Sequence, residues 1–522
     1  MLKLMINNSE VKVPEGISVL AAARLIGNEI PSLCYREGKP HFTSCMICMV
    51  KDNKSGKLFP SCSVKATEGM DITTRDAEID ESRKTALELM LSEHTGDCEA
   101  PCQVTCPAHM DIPLMNRHLA NGDFREALEV VKKDIALPAV FGRVCPAPCE
   151  GACRRKSIDS AVSICLLKRY AGDHDLETGN DYLPERAKET GKKIAIIGAG
   201  PAGLAAAYYL QLRGHQCDIY DRRKMAGGTL WDEVATGKLP AGVLEMEVEV
   251  IKRLGAWFYP ETNIDEVRFR KLVEKFDALL VTTGNREDNV EKWGLEMTDR
   301  GIATRGKTYQ SSNNKIFAAG SVVRNSKLAI RTLGQGKEAA FSIHQYLSGE
   351  NVEGEPFRFN SKFGKLQEAE IGEYLKETVK TGRQEAEERH NGFSREQVIA
   401  EAERCMHCDC RDLTDCKLRH LSDEYHAAQK RYWSDERGHV RKHIQHDFVI
   451  YEPNKCIKCG ICVRIAEEHK EKFGLTFIGR GFDVVIGVPF GEAISSGLEA
   501  VGQQVVDECP TGALAMREIH DK

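Results

Sequence analysis

Cysteine is the residue type that most constrains what this chain can fold into. The 522 residues include 20 cysteines, and 18 of these fall into four groups, with only Cys165 and Cys217 standing apart. The N-terminus lacks the charged-then-apolar layout of a secretory signal, and no apolar run is long enough to span a membrane. We therefore expect a soluble, cytoplasmic chain whose thiols stay reduced. Grouped thiols in such a chain favour metal or iron–sulfur sites over disulfides.

The composition is that of an ordinary globular protein. The formal net charge is −6, while 42% of the residues are hydrophobic and 29% are charged. This balance is neither basic enough to predict a nucleic-acid partner nor skewed enough to predict disorder. The length predicts three or four domains.

The first cysteine group follows a short sheet-forming segment. LKLMI and VKV flank a polar turn at residues 7–10, which predicts a hairpin, and VLAAARLIG then predicts a helix. The group is Cys34, Cys45, Cys48 and Cys62. Four thiolates suit a [2Fe–2S] cluster, with a zinc site as the alternative. The order of elements resembles the plant-type ferredoxin fold. The spacing resembles the variant that opens the large iron–sulfur subunit of NADH:quinone oxidoreductase and of multimeric hydrogenases.

The second cysteine group lies in two strings, DCEAPCQVTCPAHMDIP at residues 97–113 and GRVCPAPCEGACRR at residues 142–155. These strings resemble the helical cluster domain of the glutamate synthase small subunit and of dihydropyrimidine dehydrogenase. The resemblance implies two [4Fe–4S] clusters that share cysteines across both strings. One would take Cys98, Cys102 and Cys153, and the other would take Cys106, Cys145 and Cys149.

Each of these two clusters is one ligand short. For the first, the family's extra cysteine aligns with Thr95, but the neighbouring H-x3-C string resembles the histidine-ligated cluster of the NADH:quinone oxidoreductase subunit. We therefore predict His94 as the ligand, with a surface histidine as the alternative. For the second, the aligned residue is Lys168, and a protonated lysine has no lone pair to give. Cys165 is either the substitute ligand or a buried structural cysteine, and the sequence leaves this open.

A glycine-rich turn predicts a nucleotide site. The strand KIAII is followed by Gly198, Gly200 and Gly203 and then by a helix, and Asp221 ends the next strand. The first glycine permits the turn, the second lets backbone approach a pyrophosphate, and the third lets helix pack on strand. The helix N-terminus would face the diphosphate, and the aspartate would accept from ribose hydroxyls. The motif alone does not decide between FAD and NAD.

The sequence after this motif resembles the flavin domain of the glutamate synthase family, which implies FAD. That family inserts a second, NADPH-binding Rossmann unit between the segments that end here at Gly284 and Ser321. The interval in this chain is too short for such a unit, so the nicotinamide domain is predicted to be missing. Ser321 replaces the family's usual aspartate, which predicts a weaker ribityl contact. The predicted FAD residues are Gly198, Gly200, Pro201, Ala202, Gly203, Asp221, Gly228, Leu239, Gly284, Gly320 and Ser321. The alternative is a flavin fold that has lost its cofactor.

Two further cysteine groups lie near the C-terminus. Cys405, Cys408, Cys410 and Cys416 are close enough in sequence to surround one centre, either a [4Fe–4S] cluster or structural zinc. Cys456, Cys459, Cys462 and the remote Cys509, which precedes a proline, form a bacterial ferredoxin string for one [4Fe–4S] cluster. The text around this last group again resembles the NADH:quinone oxidoreductase and hydrogenase subunits.

These predictions add up to a multidomain protein of mixed α/β and α+β class. The predicted segments are a β-grasp [2Fe–2S] plant-type ferredoxin-like domain at 1–80, a helical double [4Fe–4S] domain at 81–178, a Rossmann-like FAD domain at 190–350, a C-x2-C-x-C-x5-C cluster segment at 395–445, and a [4Fe–4S] ferredoxin-like domain at 446–522.

The predicted function is electron transfer, because clusters pass single electrons whereas FAD accepts two and releases them singly. No hydrolytic triad is evident, so we predict no catalytic residues here and place the substrate site on other subunits. The predicted partners are an NADH-oxidising flavoprotein subunit and a catalytic oxidoreductase subunit or ferredoxin, with electron bifurcation as an extension. The alternatives are a self-sufficient NAD(P)H-dependent flavin oxidoreductase and a zinc-stabilised assembly scaffold.

Overall fold

The computed structural model describes residues 1–179, 182–284, 290–386, 391–433, 437–438 and 440–517. The chain divides into two compact units. The first unit contains residues 1–99, 357–377 and 408–522, and the second contains residues 100–356 and 378–407. The second unit therefore interrupts the first twice along the chain. In the described residues, no helix is both long enough and apolar enough to cross a lipid bilayer.

The regular elements are numbered in chain order. The strands are β1 (Leu2–Ile6), β2 (Ser9–Val13), β3 (Met49–Asp52), β4 (Leu58–Pro60), β5 (Asp71–Thr73), β6 (Lys193–Ile197), β7 (Gln216–Tyr220), β8 (Trp257–Tyr259), β9 (Ala278–Val281), β10 (Ile316–Ala318), β11 (Val449–Tyr451), β12 (Thr476–Ile478), β13 (Val485–Gly487) and β14 (Leu514–Met516). The helices are α1 (Val19–Arg24), α2 (Ala77–Glu93), α3 (Pro101–Thr105), α4 (Ile112–Asn121), α5 (Phe124–Lys132), α6 (Pro138–Val144), α7 (Pro148–Gly151), α8 (Ile164–Glu177), α9 (Pro201–Leu212), α10 (Leu230–Ala235), α11 (Ala241–Arg253), α12 (Glu266–Lys275), α13 (Ala329–Leu347), α14 (Glu368–Tyr374), α15 (Arg395–Ala402), α16 (Lys417–Glu424), α17 (Ile461–Glu468), α18 (Ile494–Gly497) and α19 (Gly502–Glu508).

The first unit begins with a five-stranded mixed sheet in the order β2-β1-β5-β3-β4. Asn7 and Asn8 both have positive φ and close the β1–β2 hairpin, which suits asparagine in a two-residue turn. Strands β1 and β5 are parallel, so the chain must cross over between them, and α1 lies in that connection. Ser18 caps α1 by accepting from the Ala21 N–H at 3.2 Å.

A long helix joins this sheet to the C-terminal part of the same unit. Asp76 caps α2 by accepting from the Ile79 N–H at 2.8 Å. The buried Arg83 guanidinium of α2 donates to the carbonyl of Thr74 at 2.8 Å and to the Tyr425 hydroxyl at 2.9 Å. Buried arginine is tolerated here because both of its terminal nitrogens, Nη1 and Nη2, donate hydrogen bonds.

The second unit combines a helical part, α3 to α8, with a five-stranded parallel sheet in the order β10-β9-β6-β7-β8. Four residues of the central strand β6 are buried, as expected for a parallel sheet covered on both faces. Helix α13 packs closely on α9, because a Cβ at Gly336 would lie 2.2 Å from the Ala202 carbonyl oxygen. A second G-x-G string, Gly334 and Gly336, lies inside α13 and does not follow a strand.

Candidate functional site: cysteine sites and a nucleotide cavity

The four cysteines of the first group come together in the first unit, and we call them the N-terminal cysteine site. All four are buried. The Cys45 side chain lowers the pKa of Cys34 to about 5, and the Cys62 side chain lowers the pKa of Cys48 to about 7. The pKa of Cys45 and the pKa of Cys62, the other thiols of the two pairs, are raised. Two thiol pairs are the donor set that a [2Fe–2S] cluster needs, with two ligands for each iron.

Cys456, Cys459, Cys462 and Cys509 surround one small cavity in the first unit, and we call them the C-terminal cysteine site. Cys462 lies in the first turn of α17, and Cys509 follows α19. Burial raises the pKa of Cys462 well above its usual range, and the thiols of Cys456 and Cys459 raise it further. The raised pKa keeps these thiols protonated without a metal, whereas a bound iron cluster would take them as thiolates.

The N-terminal and C-terminal cysteine sites adjoin within the first unit. Burial raises the pKa of Cys459, and Cys34 of the N-terminal cysteine site adds to that shift. The Phe42 and Phe477 rings meet edge to face with centroids 5.4 Å apart. A Cβ at Gly460 would lie 2.4 Å from the Phe42 ring, so the ferredoxin loop needs glycine to accept the neighbouring segment.

A third set of ligands gathers in the first unit around Cys98. The Cys410 N–H donates to the Cys98 carbonyl at 2.9 Å. Burial raises the pKa of Cys98 to about 11, and the Cys410 thiol contributes to the rise. Burial also raises the pKa of Cys416, with further contributions from Cys410 and Cys98. The structure therefore brings these three cysteines together.

His94 shares a neighbour, Lys455, with two of these three cysteines. It follows α2 directly, and its Nδ1 atom is buried without a hydrogen-bond partner. Burial lowers the pKa of His94 to about 4, and the charge of Lys455 lowers it further. Lys455 also shifts the pKa of Cys98 and Cys410, so it is a common neighbour of these donors. A buried neutral imidazole with an unused nitrogen is suited to metal binding. We call His94, Cys98, Cys410 and Cys416 the histidine–cysteine site.

The histidine–cysteine site adjoins the C-terminal cysteine site. A Cβ at Gly512 would lie 2.2 Å from the Cys410 Sγ atom, so the loop after Cys509 runs directly against that sulfur. The Leu418 N–H donates to the Pro510 carbonyl at 3.2 Å. The first unit thus holds three neighbouring donor sets, with the C-terminal cysteine site in contact with both of the others.

This grouping differs from the sequence-based assignment. The family resemblance placed Cys98 with Cys102 and Cys153, and close spacing placed Cys410 and Cys416 with the other cysteines of the third group. The described contacts of Cys410 and Cys416 instead join them to Cys98. Spacing could not reveal this arrangement, because the chain leaves the first unit after residue 99 and returns to it only at residues 357 and 408.

Three of the remaining cysteines, Cys102, Cys153 and Cys405, lie in the second unit. Arg155, just after Cys153, donates to the Arg404 carbonyl at 3.1 Å, which brings the segments carrying Cys153 and Cys405 side by side. Cys408, from the same C-x2-C string as Cys405, begins the last segment of the first unit. The third cysteine group is therefore divided between the two units.

The second unit also gathers Cys106, Cys145, Cys149 and Cys165, which we call the helical-domain site. The side chains of Cys145 and Cys149 both act on the pKa of Cys165. All four thiols act on the pKa of the buried Lys168. Cys165 is the residue that the sequence left undecided between a ligand and a structural cysteine.

The predicted nucleotide-binding residues meet in a cavity of about 740 Å³ in the second unit, which is within the usual range for ligand pockets. Nine of the eleven line this cavity, namely Gly198, Gly200, Pro201, Ala202, Asp221, Gly228, Gly284, Gly320 and Ser321. The other two do not line it. Gly203 packs against the strand, since a Cβ there would lie 2.0 Å from the Gly198 carbonyl oxygen, and Leu239 is buried in the hydrophobic core.

The backbone of the glycine-rich turn has free space beside it. Gly198 has φ +110°, and a Cβ there would lie 2.4 Å from the Thr282 carbonyl oxygen. Gly200 precedes α9, and a Cβ there would meet no atom within 4 Å, so its outer face is free space. The Asp221 carboxylate accepts from the Ala199 N–H at 2.6 Å and locks the turn to the end of β7.

Sequence reasoning missed the basic residues of this cavity. Arg222, Arg223 and Lys327 line it, although no motif singled them out. Arg223 donates to the Gly228 carbonyl at 2.8 Å and so supports the facing glycine segment. Basic residues near a helix N-terminus reinforce its attraction for phosphate groups. For Arg222 and Arg223, the position directly after Asp221 was the only sequence signal.

Four family models match parts of the chain. A 2Fe-2S iron–sulfur cluster binding domain matches residues 1–77, and the 4Fe-4S domain II of dihydropyrimidine dehydrogenase matches residues 77–180. An NAD(P)-binding Rossmann-like domain matches residues 196–263, and the ferredoxin-like domain of NADH-quinone oxidoreductase subunit 3 matches residues 446–515. These matches confirm the predicted mixed architecture of iron–sulfur and Rossmann-like domains.

Curated relatives match shorter stretches. The beta subunit of an NADPH-Fe(3+) oxidoreductase from Geobacter sulfurreducens is 38% identical over 206 residues, which are 39% of this chain and 30% of that protein. The beta subunit of an NADP(+)-dependent formate dehydrogenase from Moorella thermoacetica is 37% identical over 35% of this chain and 29% of its own. The glutamate synthase [NADPH] small chain of Bacillus subtilis is 38% identical over 42% of this chain and 48% of its own.

The aligned parts thus span about a third to a half of these relatives. The resemblance to the glutamate synthase small subunit and to the NADH:quinone oxidoreductase subunit is confirmed, and each resemblance covers its own part of the chain. The chain is therefore similar to two kinds of redox protein at once, and it carries [2Fe–2S] and [4Fe–4S] domains.

Proposed function

We propose that this chain is an electron-transferring iron–sulfur flavoprotein subunit of a multi-subunit oxidoreductase. It would relay electrons between an NAD(P)H-oxidising flavoprotein partner and a catalytic subunit or ferredoxin. The observation that carries this proposal is the contact between successive donor sets in the first unit, because isolated structural metal sites need not adjoin. Two of the relatives are named as beta subunits of oxidoreductases, which supports a role within a larger assembly.

The donor sets support one [2Fe–2S] and several [4Fe–4S] clusters. The N-terminal cysteine site would hold the [2Fe–2S] cluster, and the C-terminal cysteine site and the helical-domain site would each hold a [4Fe–4S] cluster. The histidine–cysteine site would hold a [4Fe–4S] cluster with three thiolates and one imidazole. A fifth cluster would use the cysteines that remain in the second unit, Cys102, Cys153 and Cys405.

We propose FAD as the ligand of the nucleotide cavity. Gly198 permits the turn, Gly200 leaves the pyrophosphate position free of a side chain, and the N-terminus of α9 faces that position. Asp221 lies at the cavity wall, where a ribose hydroxyl would be bound. FAD supplies two-electron transfer and the clusters supply one-electron transfer. Together they would accept a pair of electrons and pass these electrons on one at a time. The chain's residues bind and orient these groups.

Anaerobically purified protein tests the proposal and separates it from the scaffold alternative. We expect about 18 irons per chain, from one [2Fe–2S] and four [4Fe–4S] clusters, together with one FAD and little zinc. Zinc at several atoms per chain with little iron would instead identify an assembly scaffold.

Titration of the isolated chain with NADH and NADPH separates the proposal from the self-sufficient enzyme. We expect little flavin bleaching on the timescale of turnover, and rapid bleaching only when the NAD(P)H-oxidising partner is added. Rapid bleaching of the isolated chain by either nucleotide would refute the relay role.

A glycine variant tests the FAD site directly. Gly228 has φ +55°, and a Cβ there would lie 2.8 Å from the Gly200 Cα atom, so Gly228→Val should narrow the cavity. We expect loss of FAD with the iron content retained. Gly242→Ala is the matched control, because this α11 position has no neighbouring atom within 4 Å. FAD retained at full occupancy in Gly228→Val would place the flavin elsewhere.

A further inference from the structure

We infer that Cys165 is the fourth metal ligand of the helical-domain site and that Lys168 is a buried positioning residue which sets the redox potential there. This inference rests on the proposed presence of a [4Fe–4S] cluster in the second unit. The helical-domain site would then have four cysteine ligands, with the Lys168 ammonium group held beside them.

The four cysteines of the helical-domain site lie in, or directly after, four different helices. Cys106 directly follows α3, Cys145 directly follows α6, Cys149 lies in α7, and Cys165 lies in the first turn of α8. Helix ends are suitable positions for such ligands, because side chains there can turn toward a common centre without breaking a helix.

The Cys165 side chain lies beside two other cysteines of the site. The side chains of Cys145 and Cys149 both act on the pKa of Cys165, which is raised to about 11. Cys217 is a useful contrast, because it is also buried but lies in β7 with its Sγ atom 4.0 Å from the Ala207 carbonyl oxygen. Burial is the main cause of the raised pKa of Cys217. Cys217 behaves as a structural cysteine, whereas Cys165 behaves as a member of a donor set.

The position of Cys165 is fixed by its backbone. Its N–H donates to the Glu150 carboxylate at 3.0 Å, and Glu150 lies in α7 beside Cys149. The neighbouring Ser163 N–H donates to the buried Glu401 carboxylate at 2.7 Å. Arg383 donates to both the Ser163 hydroxyl and the Glu150 carboxylate at 2.8 Å. These contacts hold the first turn of α8 against the helix that carries another ligand, as a preorganised metal site requires.

Lys168 lies one helical turn after Cys165 and is only 3% exposed. Its Nζ atom lies 3.9 Å from the Cys165 Sγ atom. A buried lysine is stable only beside compensating negative charge, and four thiolates around a cluster supply that charge. The ammonium group therefore favours the more negative, reduced form of the cluster and raises its potential.

Iron content tests the ligand assignment. In Cys165→Ala we expect the [4Fe–4S] signal of this site to be lost or replaced by a three-iron signal in electron paramagnetic resonance (EPR) spectra of anaerobic protein, while the other cluster signals and the FAD are retained. Cys217→Ala is the matched control and should keep all clusters. Unchanged iron and spectra in Cys165→Ala would overturn the assignment.

Cys106→Ala separates a wrong choice of fourth ligand from the absence of a cluster at this site. If Cys106→Ala loses a cluster and Cys165→Ala does not, the cluster exists and only the fourth ligand is wrong. If neither substitution changes the iron content or the spectra, the second unit holds no cluster at this site and the proposed function fails there.

Redox titration followed by EPR tests the role of Lys168. Lys168→Met removes the charge but keeps the length of the side chain, and we expect the midpoint potential of this cluster alone to shift downward. Lys168→Arg keeps the charge and should restore most of the original potential. The signals of the three sites in the first unit serve as internal controls for folding. A potential unchanged in Lys168→Met, with those signals intact, would overturn the role of the lysine.

Discussion

The division of the third cysteine group is the sharpest prediction of the structure. Cys405 and Cys410 are five positions apart in the sequence, and spacing alone places them on one cluster. In the structure, Cys410 lies with Cys98 in the first unit, whereas Cys405 belongs to the second unit beside the Cys153 segment. We therefore expect Cys405→Ala and Cys410→Ala to affect two different clusters.

The expected size of each effect follows from the ligand sets. Each substitution removes one ligand from one [4Fe–4S] cluster, so complete loss would remove about four of about 18 irons, roughly a fifth. Cys405 is 8% exposed and Cys410 is 7% exposed. Replacing either buried cysteine with alanine should therefore have a similar general effect on folding. Any difference between their spectra therefore reports ligation.

The assay is EPR spectroscopy of the reduced, anaerobically purified variants together with iron analysis. Cys410→Ala should lose the same signal as Cys98→Ala, and Cys405→Ala should lose the same signal as Cys153→Ala. The double variant Cys405→Ala/Cys410→Ala should lose both signals and about eight irons. If Cys405→Ala and Cys410→Ala instead remove one identical signal, and the double variant loses no more iron than either, the regrouping is refuted.

Two further predictions concern titratable residues in separate units. His94→Cys should keep the iron content but lower the midpoint potential of one cluster in an EPR-monitored redox titration, because a thiolate replaces a neutral imidazole; an unchanged potential would remove His94 from the ligand set. Burial raises the pKa of Glu247 from 4.5 to about 7, so the folded state binds this proton more tightly than the unfolded state. Its contribution to stability is present below pH 4.5 and is lost as the pH rises to about 7, by about 3 kcal/mol. Thermal unfolding measured between pH 5 and 8 should show this decline in the native protein and a flatter profile in Glu247→Gln, and equal slopes would contradict it.

Much of the site could be read from local sequence. The first and fourth cysteine groups each supply a complete ligand set, and the structure brings each set together. The glycine-rich turn behaves as its spacing predicts, since Gly198 has the positive φ that the turn requires and Gly203 packs against the strand. Short-range motifs of this kind are visible because all of their geometry is contained in one stretch of backbone.

The remaining ligands could not be assigned in this way. His94 and Cys98 are separated from Cys410 by more than 300 positions in the sequence, and no spacing rule connects ligands over such a distance. The basic residue Lys168 was noted as an unsuitable ligand, but its position beside four sulfurs depends on how four helices meet. Burial of its charge becomes favourable only after those helices have packed.

Cysteine content, motif spacing and strand–helix alternation were enough to identify a chain of iron–sulfur domains around a nucleotide-binding fold. Which sulfurs share a centre was settled by the path of the chain, which leaves the first unit after residue 99 and returns to it at residues 357 and 408. The reason is physical: a cluster selects ligands by their distance in space, and folding sets that distance independently of separation along the backbone.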